Sequence, residues 1–266
     1  MDAKKYLSLV LLGMIVILPL FTTSCFKKGD EDPFFSIYTR KARVSGRWIL
    51  SNYESTIKRT YQNKPDQTLT VTTIDGEDWS RNIKILGTDS VVDIKGKIVT
   101  GRNTIQYYSD GRFTEILEYE YKVIEVDPIT ENENVTIYKV QDELSGTWNF
   151  LANIDDYKNK ERLSLVIEQN KSKTFVYLLQ LSEDDEATPI PQLINTVSSS
   201  RKYANGESST IWTLRMLKNK QIIQDQLVDR FVVETVNGVG DVYTEVGSVT
   251  RTLKAESTKA ETSPQQ

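Results

Sequence analysis

From Gly46 to about Leu253 the chain alternates apolar and polar residues with a period of two, the repeat of a strand with one buried face. The clearest stretch runs from Phe113 to Val123. Leu117, Tyr119, Tyr121 and Val123 share one face, and Glu118, Glu120 and Lys122 share the other. The same count groups Trp148, Phe150 and Ala152, then Leu163, Leu165 and Ile167, then Phe175, Tyr177, Leu179 and Leu181, then Trp212, Leu214 and Met216. Turn-forming residues separate the runs at Asp75-Gly76, Ser109-Asp110-Gly111, Asn205-Gly206 and Asn237-Gly238, and Lys218-Asn219-Lys220 reads as another hairpin. A meander of this kind removes its exposed edges by closing on itself. The pattern therefore predicts an all-β fold: a single up-and-down antiparallel barrel of roughly 8–10 strands over residues 46–253. Residues 182–208 break the rhythm with four consecutive acids at Glu183–Glu186, prolines at Pro189 and Pro191, and the serine run Ser198–Ser200. They read as a long polar loop.

The alternation is absent from the first 45 residues. Lys4 and Lys5 precede an apolar run from Tyr6 to Phe21, broken only by Ser8, Gly13 and Pro19, and followed by Thr22, Thr23, Ser24 and Cys25. A basic start, a short apolar stretch and a small-residue exit describe an export signal. Spanning a bilayer takes roughly 20 predominantly apolar residues, and Pro19 interrupts even this shorter run. Residues 1–24 are thus expected to be removed. Residues 25–45, charged and turn-rich around Lys27–Pro33, read as a flexible tether, and 254–266 as a disordered tail.

Composition narrows the chemistry. There is no histidine and one cysteine, Cys25. Histidine-dependent triads, zinc sites built on His or Cys, and haem ligation through His are excluded, and no intramolecular disulfide can form. The 33 basic and 37 acidic residues are interspersed, with a net charge of −4, so no basic stripe offers a nucleic-acid surface. A lone thiol in an exported chain is a liability unless it is modified.

The segment Leu20-Phe21-Thr22-Thr23-Ser24-Cys25 resembles a bacterial lipoprotein signal, in which a small residue precedes an acylated cysteine. Thr22 and Thr23 depart from the usual leucine and small residue of that signal. The resemblance makes Cys25 the lipid-attachment residue, tied to a membrane by acyl chains. Gly46-Arg47-Trp48 opens the first strand as the Gly-x-Trp of lipocalin-like domains does, where the Trp closes one end of the barrel. Tyr107–Thr114, Gly146–Leu151, Asp156–Glu161 and Leu217–Lys220 follow in an order similar to a largely uncharacterised family of Bacteroidetes lipocalin-like lipoproteins, as does the lead-in Asp32-Pro33-Phe34 with Arg40–Val44. The resemblance implies a lipocalin-like barrel and an outer-membrane location, in either the periplasmic leaflet or at the cell surface. The acids behind Cys25 resemble the surface-export signal of that phylum. A second Gly-x-Trp at Gly146-Thr147-Trp148 raises a tandem duplication, but the sequences after the two tryptophans do not align, which favours one barrel.

The remaining constellations have bland readings. Four adjacent carboxylates at Glu183–Glu186 point in diverging directions, so a solvated loop accounts for them better than a calcium site. Glu118 and Glu120 share a face like a glycosidase pair, but that face is opposite the aromatic one and should be outward. Asp89-Ser90-Val91 matches the tripeptide of Bacteroidetes O-glycosylation at Ser90. The expected function is non-enzymatic, without metal or cofactor: a lipid-anchored barrel binding a small amphipathic ligand at residues the sequence does not name. The alternative is a filled barrel acting as an interaction accessory of an envelope complex.

Overall fold

The computed structural model describes residues 39–256 apart from 63, 65–66, 127–132, 152–160, 181–189, 219 and 237–238. Cys25, the acidic run Glu183–Glu186 and the tail from 257 lie outside the described residues. A short helix α1 (Arg40–Val44) leads into eleven strands: β1 (Gly46–Tyr61), β2 (Gln67–Asp75), β3 (Asp78–Leu86), β4 (Val91–Tyr107), β5 (Arg112–Val126), β6 (Glu133–Phe150), β7 (Arg162–Gln180), β8 (Ile190–Lys202), β9 (Ser209–Lys218), β10 (Gln221–Val236) and β11 (Val239–Ala255). Ten of them close into one antiparallel barrel, in sequence order with β8 left out, and β8 lies outside the ring against β7. Both Gly-x-Trp motifs belong to this one barrel.

The ring does not have the same width at its two ends. The β2–β3 hairpin is short, and its turn at Gly76 reaches only as far as Asn52 of β1. Beyond that turn β1 pairs directly with β4, from Gly46 opposite Tyr107 to Ile49 opposite Thr104. Eight strands therefore close this end, against ten in the whole ring. An eight-stranded interior is just wide enough for side chains to fill. It is filled here by Trp48, Ile105, Tyr107, Phe113, Trp148, Leu163, Leu165, Trp212, Leu217 and Leu253, all buried. The indole of Trp48 donates to the carbonyl of Val44 at 2.8 Å, and that of Trp148 to the carbonyl of Tyr108 at 2.9 Å, so neither leaves a buried donor unmet.

Helix α1 caps the narrow end. It begins where the Thr39 hydroxyl accepts from the Ala42 amide and ends at Ser45, and Arg43 donates to the Leu217 carbonyl at 2.9 Å. Arg40 and Val44 are buried. These residues fall within 25–45, the stretch whose composition reads as tether; Thr39–Ser45 is folded against the barrel.

Four bulges turn strands over. A β-bulge adds one residue and so exchanges the inward and outward sets. In β1 the inward set passes from Trp48 and Leu50 to Tyr53 and Ser55 across a bulge near Ser51. In β4 it passes from Ile98 to Ile105 and Tyr107 across residues 99–102, where Gly101 has φ +75°. In β9 it passes from Trp212 and Leu214 to Leu217. In β7 the bulge is at Glu168, so Leu163, Leu165 and Ile167 face in, but Thr174 and Val176 do so further on, opposite Val140 and Tyr138. Phe175, Tyr177 and Leu179 consequently lie on the outer face, where Lys173 covers the Phe175 ring and Lys139 the Tyr177 ring.

The polar loop expected over 182–208 is instead largely strand. β8 runs along β7 from Gln169 to Gln180, and β9 continues on the same side of β7 from Arg162 to Val166. The two are one line of chain interrupted at 203–208, so Asn205-Gly206 makes a detour between collinear strands and not a hairpin. Pro191 is tolerated because β8 is an edge. All thirteen residues of β8 are exposed, including Leu193, Ile194 and Val197. β9 pairs with β10 only up to Asp225. Among the described residues no ladder joins β8 to residues 226–236 of β10, whose outward Leu227, Phe231 and Val233 are also exposed. The wide half of the barrel thus has a lateral seam between two unpaired edges.

Candidate functional site: a cavity in the wide half of the barrel

Above the packed eight-strand end, the two extra strands enlarge the interior and side chains no longer fill it. A cavity of about 430 Å³ remains, bounded by β1, β2, β3, β5, β6, β10 and β11. A second space of about 340 Å³ adjoins it, sharing Glu115, Leu117 and Asp142. One wall is aromatic. Trp79 stacks on Tyr119 at 4.5 Å, and Tyr121 stacks on Tyr138 at 4.9 Å, so a ladder of four rings crosses β3, β5 and β6, of which Trp79 and Tyr119 line the cavity. Ile57, Ile74, Ile83 and Leu117 extend the apolar lining.

The facing wall is polar. Glu245 on β11, 4% exposed, is held between Arg59 and Arg230: Arg59 reaches one carboxylate oxygen at 2.7 Å and Arg230 the other at 2.6 Å. Burial works against ionisation of Glu245, but the two arginines outweigh it and hold its carboxyl below the usual range. Arg59 also lies over the Tyr243 ring at 4.2 Å.

The cavity floor is a second network. Arg251, 3% exposed, donates to Gln224 at 2.6 Å, to the Tyr107 hydroxyl at 3.0 Å and to Glu115 at 3.1 Å, with its guanidinium 3.8 Å from the Trp212 ring centre. One planar cation thus satisfies two buried acceptors and a part-exposed carboxylate, and separates the packed end from the open space.

Two charged groups in the lining differ from these. Asp142 on β6 accepts from Ser172 at 2.6 Å and has no cation within ion-pair distance among the described residues. Burial pushes its carboxyl up, against the lowering influence of Ser172 and Arg81. Arg81 on β3 likewise makes no ion pair among the described residues, and its buried Nε has no hydrogen-bond partner. Its guanidinium is 5.3 Å from the Trp79 ring centre, and the nearby Tyr119 hydroxyl is pushed up to about 12 by burial.

The state of Asp142 carries a stability consequence. A carboxyl whose folded value is raised costs stability where it is ionised, and the cost starts to fall as pH drops through that raised value and is gone below the unfolded one. Asp142→Asn keeps an oxygen for Ser172 to donate to and removes the charge. The variant should melt at a higher temperature than the parent at neutral pH, with the gap starting to close as pH falls through the raised Asp142 value. Thermal unfolding across acidic to neutral pH checks this; a gap independent of pH would remove Asp142 as its cause.

Several residues singled out in the sequence lie elsewhere. Tyr119 and Tyr121 line the interior as their phase predicts, and Glu118 and Glu120 lie on the outer face. Glu118 is not solvated as expected: it is 8% exposed and paired with Arg102 from the β4 bulge. Glu120 pairs with Lys139 at 3.2 Å. Each carboxylate of the glycosidase-like pair therefore has its own cation. Ser90 is exposed in the turn between β3 and β4. Among the described residues no three acidic side chains converge to hold a metal ion.

The sequence alone does not name the ligand-lining residues, although it carries a signal for them. Arg81 shares the phase of Trp79 and Ile83, Glu115 that of Phe113 and Leu117, and Arg251 that of Val249 and Leu253. A charge on the apolar phase of a strand must be paired in the core or must line a cavity. No protein-family model, curated protein or solved structure matches the chain.

Proposed function

We propose that this chain is a lipid-anchored outer-membrane lipoprotein of the lipocalin-like kind, acylated at Cys25, whose barrel binds a small amphipathic ligand without transforming it. The observation that carries the reading is the amphipathic cavity above the packed eight-strand end of the barrel. Its volume of about 430 Å³ falls within the range of small-molecule sites, and an apolar lining with a few placed polar groups is their usual make-up. An aromatic ladder on one wall and arginine–carboxylate clusters on the other suit a molecule with one apolar and one polar part. The absence of histidine and the pairing of Glu118, Glu120, Glu115 and Glu245 with cations favour binding over hydrolysis.

The anchor would enter at the packed end, because α1 caps it.

A second reading, an interaction accessory of an envelope complex, is favoured by the seam. Unpaired strand edges bearing Leu193, Val197, Leu227 and Phe231 are a template for an added strand. Native mass spectrometry of the full protein, taken from membranes into lipid nanodiscs, distinguishes the two. A small molecule released from the barrel, on a chain whose mature N-terminus is acylated Cys25, is the expected result. A barrel that is empty and takes up no added decanol, but leaves the membrane with a protein bound, would overturn the ligand reading in favour of the second. An unmodified Cys25 would end the anchor.

A further inference from the structure

The cavity contains more arginine than its carboxylates use. Arg59 and Arg230 are spent on Glu245, and Arg251 is spent on Glu115, Gln224 and Tyr107. Arg81 is the lining arginine left without a carboxylate at ion-pair distance among the described residues. Its Nε is removed from solvent with no hydrogen-bond partner, and the rest of the guanidinium meets only a neutral acceptor, the Tyr119 hydroxyl. Arginine does not shed its proton to escape such a position. A cation held in a partly desolvated wall with an open donor costs stability unless an acceptor arrives.

The placement of Arg81 adds to this. It projects from β3, directly after Trp79 in the same inward phase, so it stands beside the aromatic ladder and not among the polar clusters of β10 and β11. Its backbone neighbour across the β2–β3 ladder is Thr72, which also lines the cavity. A ligand whose chain lies along Trp79, Tyr119 and Leu117 would bring its head to the guanidinium. Asp142 faces the same space, so a cationic head has a competing acceptor there. That acceptor is the weaker attractor, since burial disfavours its charge.

Resting on the proposal that the cavity binds an amphipathic ligand, we infer that the ligand is an amphipathic anion and that Arg81 holds its anionic head. A carboxylate or sulfate presents the planar or tripodal oxygens that a guanidinium fork accepts. The Tyr119 hydroxyl, protonated at neutral pH, can donate a further hydrogen bond to the same head. Lysine at this position would supply charge without the fork.

Three probes with one chain length and different heads test this on the full protein in lipid nanodiscs, with empty nanodiscs as the blank: decanoate, decanol and decyltrimethylammonium. Binding is read from the tryptophan emission and from the rise in melting temperature on ligand addition. Decanoate should bind about tenfold more tightly than decanol, the scale of one charge-assisted bidentate contact, and the cationic probe least tightly. In Arg81→Met, decanoate should lose its advantage over decanol, and a circular dichroism spectrum matching the parent's shows that the variant is folded. Equal binding of decanoate and decanol by the parent, or preference for the cation, would overturn the anion assignment and leave the ligand-binding reading standing. Unchanged decanoate binding by Arg81→Met would remove Arg81 from the role. Binding of none of the three would overturn both.

Discussion

Replacing Arg251 by leucine is expected to lower the unfolding free energy by about 3 kcal/mol, the cost of leaving two buried acceptors unsatisfied and a part-buried carboxylate unpaired. The side chain is 3% exposed and its four contacts come from four different strands: Glu115 of β5, Gln224 of β10, Tyr107 of β4 and the Trp212 ring of β9. Leucine can refill part of the volume against Trp212, but it returns no donor to the buried Gln224 and Tyr107 oxygens or to the part-exposed Glu115 carboxylate. Gln224 is fully buried, and burial already pushes the Tyr107 hydroxyl up. The double variant Arg251→Leu with Glu115→Leu should recover part of the loss, because the orphaned carboxylate is then gone. Urea unfolding of the parent, the single variant and the double variant checks both statements. A double variant less stable than the single one would show that the ion pair is not what Arg251 chiefly supplies. The packed end should remain assembled in these variants, while the cavity floor loses its shape and ligand uptake falls with it.

Gly146→Ala should cost about 3 kcal/mol, at the upper end of what one added methyl does in a well-packed wall. A Cβ built there would stand 2.0 Å from the Val166 carbonyl oxygen and 3.0 Å from the Glu168 amide nitrogen. Both are backbone atoms of β7 in the middle of the ladder, so the clash cannot be relieved by a side-chain rotation. The only relief is to part β6 from β7, where the bulge changes the inward set of β7 from Ile167 to the even-numbered residues. Gly101→Ala is the useful contrast. That glycine has φ +75° but meets nothing within 4 Å, so its substitution carries only the left-handed backbone cost of about 1 kcal/mol. A Gly146 variant no less stable than the Gly101 variant, by the same urea titration, would mean that the close approach of the strands is not required. Amide exchange should quicken along β6 and β7 in the first case and near residues 99–102 in the second.

Gly146 shows how a motif read as family likeness acquires a local reason. In Gly146-Thr147-Trp148 the Trp fills the narrow end and the Gly lets a bulged neighbour strand approach. In Gly46-Arg47-Trp48 the glycine has φ +144°, and the Trp is tied to the last residue of α1. The two motifs look alike in sequence but meet different demands.

Local pattern determined a good deal. Period-two alternation is a property of each strand alone, so the all-β class, most strands and the turns at Gly76 and Gly111 could be read without knowing any partner. The interior position of Tyr119 and Tyr121 could be read in the same way, because β5 carries no bulge in that stretch. The composition could exclude histidine and disulfide chemistry outright. Pairing decided the rest. A bulge depends on the register of the neighbouring strand, so the outward turn of Phe175 and Tyr177 was invisible to a count along β7. β8 was hidden because an edge strand with both faces exposed has no apolar period to betray it. The cavity was hidden for a related reason: it exists because a short β2–β3 hairpin widens an eight-strand ring to ten, a relation between strand lengths that no single segment expresses. The charges on the apolar phase at Arg81, Glu115 and Arg251 were written in the sequence. Only the barrel decided that Arg251 would be surrounded by acceptors and Arg81 would face open space, because the number of partners a buried charge finds is set by the strands that fold around it.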